Sequence, residues 1–481
     1  MKIKEIIKNI PYISFVGDDE ISLDAITEDS RKVNNKTAFC AIKGFTVDGH
    51  HFIEEAIEKG SPCIIHEKPV EQREKVAYLH VKDGRKTLGE FAASLYGNPS
   101  RHFQLIGITG TNGKTTISYM LKEIIAKGAV IGTNGVLFQD QKIPLAHTTP
   151  SGDELQKIFK KLLNQGASTV IMEVSSHALA LDRVEGSDFD WGIFTNLTME
   201  HMDFHKTMEN YYEAKKKLFY RAKTGGVINI DDPYGRRLYQ ELQGRENYKM
   251  ISYGFSKDAD ICALHYKIQG NKMDALLSIC GHEKKFNFPI MTKYNLYNMM
   301  AAMGYCLGTN QWSLTKNLKN FSGAAGRFEQ VDNTLGLHLI IDFAHTPDAL
   351  ENLLSSIETN GKILLVFGVA GDRTREIKEK MGEVASKYAD EIIITTDDPK
   401  KAKFQDIVKD IKRGFSKDTK YHIIENRKDA IAKSLSLAKE DDFIIFAGKS
   451  EERIMKYDGY EKPYHEKETI KKELEKLNGL K

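Results

Sequence analysis

The chain has 481 residues, 41% hydrophobic and 28% charged, a balance typical of globular proteins, and at roughly 150 residues per domain it predicts about three domains. Its 69 basic and 67 acidic residues leave a net charge of +2, so we expect no nucleic-acid partner and no membrane partner. The sequence has no apolar run of about 18 residues and no signal-peptide core, which favours a location in the cytoplasm.

The cysteines predict neither a disulfide framework nor a zinc site. They are odd in number, widely scattered and without a CxxC pair. Buried free thiols are therefore the interpretation that we favour for all of them. The five are Cys40, Cys63, Cys262, Cys280 and Cys306.

The elements change in character near residue 100. Residues 1 to about 98 mix short strand-like runs, such as AYLHV (77–81), with turns that contain glycine. From Phe103 onwards, a buried-strand run enters a glycine loop and then a helical stretch, and further apolar runs follow. These segments are QLIGI (104–108), ISYMLKEIIAK (117–127), TVIMEV (169–174), WGIFTNL (191–197) and GGVINI (225–230). Strands that alternate with helices predict βαβ units around a mostly parallel sheet.

A second alternation of strands and helices begins after about Arg327. The helical spacing of apolar residues in REIKEKMGEVASKYAD (375–390) supports this pattern. The strand-like runs are HLIIDF (338–343), KILLVFGV (362–369), EIIITT (391–396) and DFIIFAG (442–448). We therefore predict an α/β protein with three domains, of residues 1–98, 99–326 and 327–481.

The strongest motif is GITGTNGKTT (107–116). A strand that runs into glycines and then a helix directs backbone N–H groups and the helix dipole at one point, which favours an anion site. Lys114 can reach nucleotide phosphates there, and the Thr115 hydroxyl can bind Mg²⁺. Because Ile108 occupies the place of the first glycine in the general P-loop pattern, this loop is a variant. The alternative is an ordinary glycine turn before a helix.

Two residues follow strands of the predicted central sheet and are candidate magnesium ligands. Glu173 ends one strand run, and His201 follows the next. Ligands of open α/β sheets bind beyond the carboxyl ends of the strands, where both residues should lie. For Lys215 to Lys217, in the helical segment YYEAKKKLF, composition alone favours a solvated basic face.

These segments together resemble the Mur ligases, most closely their UDP-N-acetylmuramoyl-tripeptide synthetase (MurE) branch. The resemblance spans almost the whole chain. It rests on the ordered set TEDSR (27–31), GFTVDGHHF (44–52), ITGTNGKTT (108–116), TTP (148–150), MEVSSHALALDRV (172–184), NLTMEHMDFHKTMENYYEAK (196–215), YNLYN (294–298), GRFE (326–329), IDFAHTPDAL (341–350) and FGVAGDR (367–373).

The resemblance implies a UDP-precursor-binding domain (1–98), a central P-loop-type ATPase domain (99–326) and a Rossmann-like domain that binds the amino acid (327–481). It also implies an ATP-dependent acid–amino-acid ligase of peptidoglycan precursor synthesis. ATP and Mg²⁺ would be its cofactors. UDP-N-acetylmuramoyl-L-alanyl-D-glutamate and a free diamino acid would be its partners, and we expect a monomer.

Residue roles are implied in the same way. Lys114, Lys215, His201 and Glu173 would be catalytic. Thr115, Glu173, His201 and Lys215 would hold the metal, Lys215 as a carbamate that supplies oxygen donors. ATP would be bound by Gly110, Thr111, Asn112, Gly113, Lys114, Thr115, Thr116, Asn298, Arg327 and Asp342. The muramoyl-peptide substrate would be bound by Ser30, Thr148, Thr149, Ser175 and Arg183, with the GFTVDGH segment beside the uridine. The amino acid would be bound by Arg373, Asp398, Lys400 and Glu452.

Two departures from the branch pattern concern the added amino acid. Members that add meso-diaminopimelate usually carry Asp-Asn-Pro-Arg, whereas this chain has DDPK (397–400). Lys400 keeps the positive charge without the bidentate geometry of arginine, so diaminopimelate is favoured over L-lysine. GKSEE (448–452) replaces the usual Gly-Lys-Gly-His-Glu, with Ser450 in place of a glycine.

Two other functions stay open at this point. One is an amide ligase similar to folylpolyglutamate synthase, for which the N-terminal UDP segment would have no purpose. The other is a nucleotide-binding regulator without catalytic activity, against which the complete set of phosphate-loop and metal residues argues.

Overall fold

The computed structural model describes residues 1–44, 47–269 and 272–479. The chain forms two compact units. The first unit comprises Met1–Cys262 and Ala301–Thr315, and the second comprises Ala263–Met300 and Lys316–Lys481. Every helix in the described part of the chain is too short or too polar to cross a bilayer.

The N-terminal part of the first unit is a five-stranded sheet with order β1-β5-β4-β3-β2, in which only β1 runs antiparallel to its neighbour. Its strands are β1 (Ser14–Val16), β2 (Ala25–Thr27), β3 (Thr37–Cys40), β4 (Cys63–His66) and β5 (Ala77–His80). Its helices are α1 (Ile3–Ile6), α2 (Ile53–Glu58) and α3 (Gly84–Leu95). The strand expected at AYLHV is thereby confirmed as β5.

A larger sheet follows, and its parallel part includes the order β13-β12-β11-β6-β10-β7. The strands are β6 (Gln104–Thr109), β7 (Gly128–Gly132), β8 (Gly135–Phe138), β9 (Gln141–Ile143), β10 (Thr169–Glu173), β11 (Trp191–Phe194), β12 (Gly225–Asn229) and β13 (Lys249–Gly254). The helices are α4 (Lys114–Ile124), α5 (Gly152–Asn164), α6 (Ser176–Ala180), α7 (Met202–His205), α8 (Met208–Arg221) and α9 (Pro233–Glu241). The predicted strands and helices of this region are confirmed, and an antiparallel β8–β9 extension at the β7 edge was not predicted.

The topology of this sheet places a crevice at the carboxyl end of β6. The chain passes from β10 on one side of β6 to β11 on the other, so β6 lies at a topological switch point. Ligands of open α/β sheets bind at that point. Helices cover both faces of the sheet here, so β6, β10 and β11 are buried along their length. Their sequences are therefore continuous apolar runs.

Four elements follow β13, and the first of them pairs parallel to β13 in the same sheet. They are β14 (Ile261–Gln269), β15 (Lys272–Ile279), β16 (His282–Phe288) and α10 (Lys293–Gly308). Strands β15 and β16 form an antiparallel hairpin. Cys280, at the turn of this hairpin, is exposed, so the prediction of a buried thiol is wrong there and correct for the other four cysteines.

The second unit contains a six-stranded sheet with order β17-β18-β22-β19-β20-β21, parallel except for β17. The strands are β17 (Glu329–Val331), β18 (His338–Asp342), β19 (Ile363–Phe367), β20 (Glu391–Ile394), β21 (Tyr421–Ile423) and β22 (Phe443–Ala447), followed by the hairpin of β23 (Ile454–Tyr457) and β24 (Tyr460–Pro463). The helices are α11 (Pro347–Ser355), α12 (Arg375–Tyr388), α13 (Phe404–Lys412), α14 (Arg427–Leu437) and α15 (Glu466–Gly479). The predicted α/β class is confirmed, whereas the division into three domains stays a prediction.

Candidate active site

The loop after β6 is the centre of the candidate site. Gly110 and Gly113 have φ values of +143° and +92°, a region that favours glycine. A Cβ atom on Gly110 would lie 1.8 Å from Thr195 Oγ1, so this position has no room for a side chain. Gly113 is the N-cap of α4, and the first amides and the positive end of the helix dipole therefore face the loop. This strand, loop and helix can bind an anion such as a phosphate group.

The segment after β11 holds the loop in place. Thr111 N donates to Asn196 O at 2.9 Å, and Asn112 N donates to Asn196 Oδ1 at 2.9 Å. Thr195 Oγ1 donates to Asn112 O at 2.6 Å. Thr116, the last residue of the motif, is buried on the first turn of α4. These bonds within the chain therefore hold the loop in its conformation.

Two lysines meet at one carbonyl of this loop. Lys114 Nζ donates to Gly110 O at 2.9 Å and to Thr111 O at 2.8 Å, and Lys215 Nζ donates to Gly110 O at 2.7 Å. Lys215 is only 1% exposed, so the solvated face that its composition favoured is wrong. Burial, reinforced by the charge of Lys114, lowers the pKa of Lys215 well below its usual range.

A buried carboxylate lies beside the start of α4. Glu173, at the end of β10, is 1% exposed, and Thr115 Oγ1 donates to its Oε2 at 3.0 Å. Thr133 donates to the same carboxylate twice, from its N to Oε1 and from its Oγ1 to Oε2, both at 3.1 Å. Hydroxyl and carboxylate oxygens are the hard donors that Mg²⁺ prefers, so the pair of Thr115 and Glu173 fits a magnesium ion.

His201 is placed by a group of rings on another side of the loop. It has φ +58°, its ring lies 4.7 Å from that of His177 edge to face, and its ring centroid is 6.4 Å from that of Tyr211. Tyr211 in turn lies beneath Lys215, whose Nζ is 4.6 Å from the ring centroid, and its hydroxyl is 3.3 Å from Thr111 Oγ1. Among the described residues, no hydrogen bond or ion pair links His201 or Lys215 to Glu173. The structure therefore brings Thr115 together with Glu173, and Lys215 together with Lys114.

The predicted muramoyl-peptide residues form a network beside Glu173, with one exception. Thr148 Oγ1 lies 3.2 Å from Thr133 Oγ1, and Thr149 Oγ1 donates to Glu173 O at 2.9 Å. Ser175 N donates to Thr149 Oγ1 at 3.1 Å, and Arg183 Nη1 donates to Thr149 O at 3.2 Å.

The exception is Ser30, which lies in the N-terminal sheet region and is buried. Its hydroxyl donates to Glu55 Oε2 at 3.0 Å, and Lys59 Nζ donates to its carbonyl at 3.3 Å. Phe45 and Thr46 of the predicted uridine segment lie outside the described residues.

In the second unit, two of the three predicted nucleotide residues are adjacent in space. Burial raises the pKa of Asp342, an effect that the charge of Arg327 opposes, and the carboxylate of Asp342 accepts from Phe328 N at 2.7 Å. The Arg327 guanidinium lies 4.5 Å from the ring centroid of Phe343. Asn298 lies on α10 and donates to Asn295 Oδ1 at 3.0 Å, and among the described residues no hydrogen bond joins it to Arg327.

The predicted amino-acid residues lie on three loops, which follow β19, β20 and β22. Lys449, which is fully buried, donates to Asp398 Oδ1 at 2.7 Å and to Glu452 Oε2 at 2.5 Å. Lys400 forms an ion pair with Asp372, the neighbour of the exposed Arg373. Gly371 N donates to Asp398 O at 3.0 Å, which joins the loops after β19 and β20.

These three loops form the acceptor site, in which three carboxylates lie close together. Burial raises the pKa of Asp397 to about 6, against the opposing charges of Arg427 and Lys449. Asp397, Asp398 and Glu452 offer carboxylate oxygens within 4.8 Å of one another, with Lys449 among them. Such a site suits a ligand that brings ammonium groups.

Sequence reasoning missed three residues of these sites. Thr133 lies in none of the quoted motifs, and Tyr211 lies in one of them without a predicted role; the contacts of both join different elements. Lys449 stands in the segment GKSEE, whose lysine could have been assigned as the partner of the nearby acidic residues. Its burial between Asp398 and Glu452 is the feature that the local sequence does not reveal.

Comparison with known protein families gives three matches along the chain. Residues 22–96 match "Mur ligase family, catalytic domain", residues 108–306 match "Mur ligase middle domain", and residues 326–450 match "Mur ligase, glutamate ligase domain".

Individual proteins extend this similarity over the full length. UDP-N-acetylmuramoyl-L-alanyl-D-glutamate--2,6-diaminopimelate ligase 1 of Clostridium acetobutylicum is 40% identical and covers 99% of this chain and 100% of its own. The ligase of the same name, without the number, from Clostridioides difficile is 39% identical with the same coverage.

Solved structures share the fold. A UDP-N-acetylmuramoyl-L-alanyl-D-glutamate--2,6-diaminopimelate ligase has a TM-score of 0.73 at 26% identity and covers 99% of both chains. MurF ligase from Thermotoga maritima in complex with ADP has a TM-score of 0.63 at 19% identity, and it covers 96% of this chain and 100% of its own. At that identity the second match shows the fold alone.

Proposed function

The chain belongs to the Mur ligase family, and from that premise we propose that it joins meso-diaminopimelate to UDP-N-acetylmuramoyl-L-alanyl-D-glutamate in peptidoglycan precursor synthesis. It is an ATP-dependent ligase that forms an amide bond. The names of relatives at about 40% identity support the substrate pair. The single observation that carries the chemistry is the glycine loop with Lys114, Thr115 and the buried Glu173 at the switch point of the sheet.

The loop would bind ATP through its backbone amides, Lys114 and the first turn of α4. Asn298, Arg327 and Asp342 of the second unit are also assigned to ATP binding. Mg²⁺ would be held by Thr115, Glu173, His201 and the modified Lys215, and when bound it supplies positive charge that offsets the phosphates. The hydroxyl and carboxylate oxygens of Thr115 and Glu173 already lie 3.0 Å apart, which supports their part of this assignment.

Lys215 is carbamylated in the proposed enzyme. Burial lowers the pKa of its amine well below the usual range and so favours the neutral form, and a neutral amine can add to CO2 with loss of one proton. The carbamate replaces a hydrogen-bond donor with an anionic group beside Gly110, and its oxygens can bind a metal ion. Mass spectrometry of the intact chain, with and without bicarbonate, tests this. A mass without the added CO2 under all conditions would contradict it.

The muramoyl-peptide arm would lie along Thr148, Thr149, Ser175 and Arg183, with Ser30 near the uridine. The terminal carboxylate of its D-glutamyl residue attacks the γ-phosphorus of ATP, and the bond to the β-phosphate oxygen breaks to release ADP. The amine of the amino acid then attacks the acyl phosphate carbonyl, and phosphate leaves as the amide forms. Lys114 and the helix dipole reduce the repulsion between the carboxylate and the triphosphate.

The amino acid would be held by Arg373, Asp398, Lys400 and Glu452. Arg373 suits the α-carboxylate, and Glu452 suits the attacking amine. Lys400 would meet the distal carboxylate of diaminopimelate, for which it must exchange its ion pair with Asp372. L-Lysine has no such carboxylate, so Lys400 favours diaminopimelate.

The three family matches support a working division into residues 1–98 for the UDP precursor, 99–326 for ATP and 327–481 for the amino acid. The enzyme would act as a monomer without nucleic acid or membrane. Because the reaction consumes ATP and a UDP-linked precursor, the cytoplasm is its proposed location.

Phosphate release and mass spectrometry of the UDP-linked product test the function. We expect release only when UDP-N-acetylmuramoyl-L-alanyl-D-glutamate and an amino acid are both present, with diaminopimelate preferred over L-lysine. Lys400→Ala should reduce that preference, and Lys401→Ala, on the adjacent exposed lysine, should leave it unchanged. Nucleotide binding without turnover would favour a regulator, and turnover with a folate substrate would favour the folylpolyglutamate synthase-like alternative.

A further inference from the structure

The first residue of α15 forms a buried ion pair within the second unit. Glu466 is fully buried and Arg427 is 3% exposed. Arg427 Nε donates to Glu466 Oε1 and Oε2 at 3.1 and 2.9 Å, and its Nη2 donates to Oε1 at 2.6 Å. Tyr464 also donates its hydroxyl to Glu466. The carboxylate thereby fixes the plane of the guanidinium.

The remaining donors of Arg427 reach the ends of two strands of the acceptor site. Nη2 donates to Ala447 O at 2.9 Å, and Nη1 donates to Thr396 O at 3.5 Å. Ala447 is the last residue of β22, directly before Gly448 and Lys449. Thr396 follows β20 and directly precedes Asp397 and Asp398. The guanidinium thus lies under both loops that carry the acidic residues of the acceptor site.

Lys467, the next residue of α15, is linked through Glu329 to the turn that carries Arg327, a predicted nucleotide-binding residue. Lys467 Nζ lies 2.5 Å from Glu329 Oε1, and Glu329 Oε2 accepts from Gly326 N at 2.7 Å. Gly326 has φ +68° and begins the turn that carries Arg327. Its carbonyl accepts from Ser450 Oγ at 2.9 Å, so the residue that replaces a glycine of the branch pattern also holds this turn.

Stability alone does not account for a buried arginine and glutamate. Two charges removed from water lose solvation that their attraction roughly repays, and an apolar pair of similar volume is often as stable. What an apolar pair cannot supply is the set of directed hydrogen bonds to Ala447 O and Thr396 O. These bonds give the pair a positional role.

We propose that the first turn of α15 positions two subsites: Glu466 holds the acceptor loops through Arg427, and Lys467 holds the Arg327 turn through Glu329. Both are positioning residues that touch neither substrate. The assignment rests on the proposed function, since it takes these loops as the amino-acid site and Arg327 as a nucleotide contact. It predicts that neighbouring residues on one helix affect different substrates.

Steady-state kinetics of the full chain test this with Glu466→Gln and Lys467→Met. Glu466→Gln should raise KM for the amino acid about tenfold and leave KM for ATP within about twofold, because displaced loops weaken the binding of what they hold. Lys467→Met should raise KM for ATP and leave KM for the amino acid. Lys471→Met, at an exposed position one turn further along α15, is the matched control and should change neither.

Parallel changes of both KM values in both variants would show a merely structural helix and overturn the proposal, as would no change in either. If Glu466→Gln does not fold, Glu466→Asp keeps the charge, shortens the side chain and should give the same split. Hydrogen–deuterium exchange supplies a readout that needs no turnover. Exchange should rise in 396–400 and 447–450 for the Glu466 variant, and in 325–329 for the Lys467 variant. If the wild-type chain has no ligase activity but the two variants still differ in this way in hydrogen–deuterium exchange, the proposed function alone is refuted.

Discussion

Replacement of Lys114 by alanine removes the one side-chain charge that the phosphate loop itself supplies. A unit charge about 4 Å from a phosphate oxygen contributes roughly 4 kcal/mol at an effective dielectric constant of about 20. To reach a phosphate, the ammonium must first break its hydrogen bonds to Gly110 O and Thr111 O, at 2.9 and 2.8 Å. The loss of these bonds offsets part of the electrostatic energy. We therefore expect a barrier higher by about 2–4 kcal/mol, which is roughly a 30- to 1000-fold loss of turnover.

The assay is ADP release at saturating ATP, Mg²⁺, UDP-N-acetylmuramoyl-L-alanyl-D-glutamate and diaminopimelate. Lys122→Ala on the same helix removes a lysine that lies more than two turns from the loop, and it should retain wild-type turnover. If Lys114→Ala stays within about threefold of the wild type, the electrostatic role that we assign to this loop is refuted.

Three further predictions concern nucleotide binding, the magnesium requirement and the pH dependence of stability. Gly110→Ala should abolish nucleotide binding in a fluorescence titration, because its Cβ would meet Thr195 Oγ1 at 1.8 Å with φ at +143°; normal affinity would contradict the loop geometry. Glu173→Gln should raise the Mg²⁺ concentration for half-maximal activity about tenfold or more, and an unchanged requirement would exclude Glu173 as a ligand. Burial lowers the pKa of His205 to about 4, so the folded chain disfavours a proton that the unfolded chain binds below about pH 6.5. Stability present at pH 7 should be lost as the pH falls towards 4, by about 2 kcal/mol at pH 5 relative to His205→Gln in urea unfolding, and a parallel pH dependence of the two proteins would contradict this.

The phosphate loop could be predicted from the sequence because its determinants are local. A buried strand, glycines with positive φ and a helix start are all encoded within residues 104–124, and each has its own signal. Glu173 could be placed for a similar reason, since the carboxyl ends of parallel strands meet at one edge of a sheet.

The burial of Lys215 could not be predicted from the local sequence in the same way. Three successive lysines on a helix have the composition of a solvated face, yet Lys215 is buried against Gly110 O and the ring of Tyr211. Only the position of α8 against the loop decides which lysine points inward. The resemblance to the Mur ligases pointed to Lys215, whereas its residue type and neighbours did not.

In the acceptor site too, the sequence indicated individual residues and the structure showed their partners. Asp398, Lys400 and Glu452 could be named from motifs, but the ion pairs of Lys449 with Asp398 and of Lys400 with Asp372 join residues that lie far apart in the chain. Hydrophobic periodicity and turn residues act over a few positions, so the sequence by itself determined the α/β elements and the phosphate loop. Charge partners depend on which loops the sheet order brings together, and the tertiary structure alone decided them.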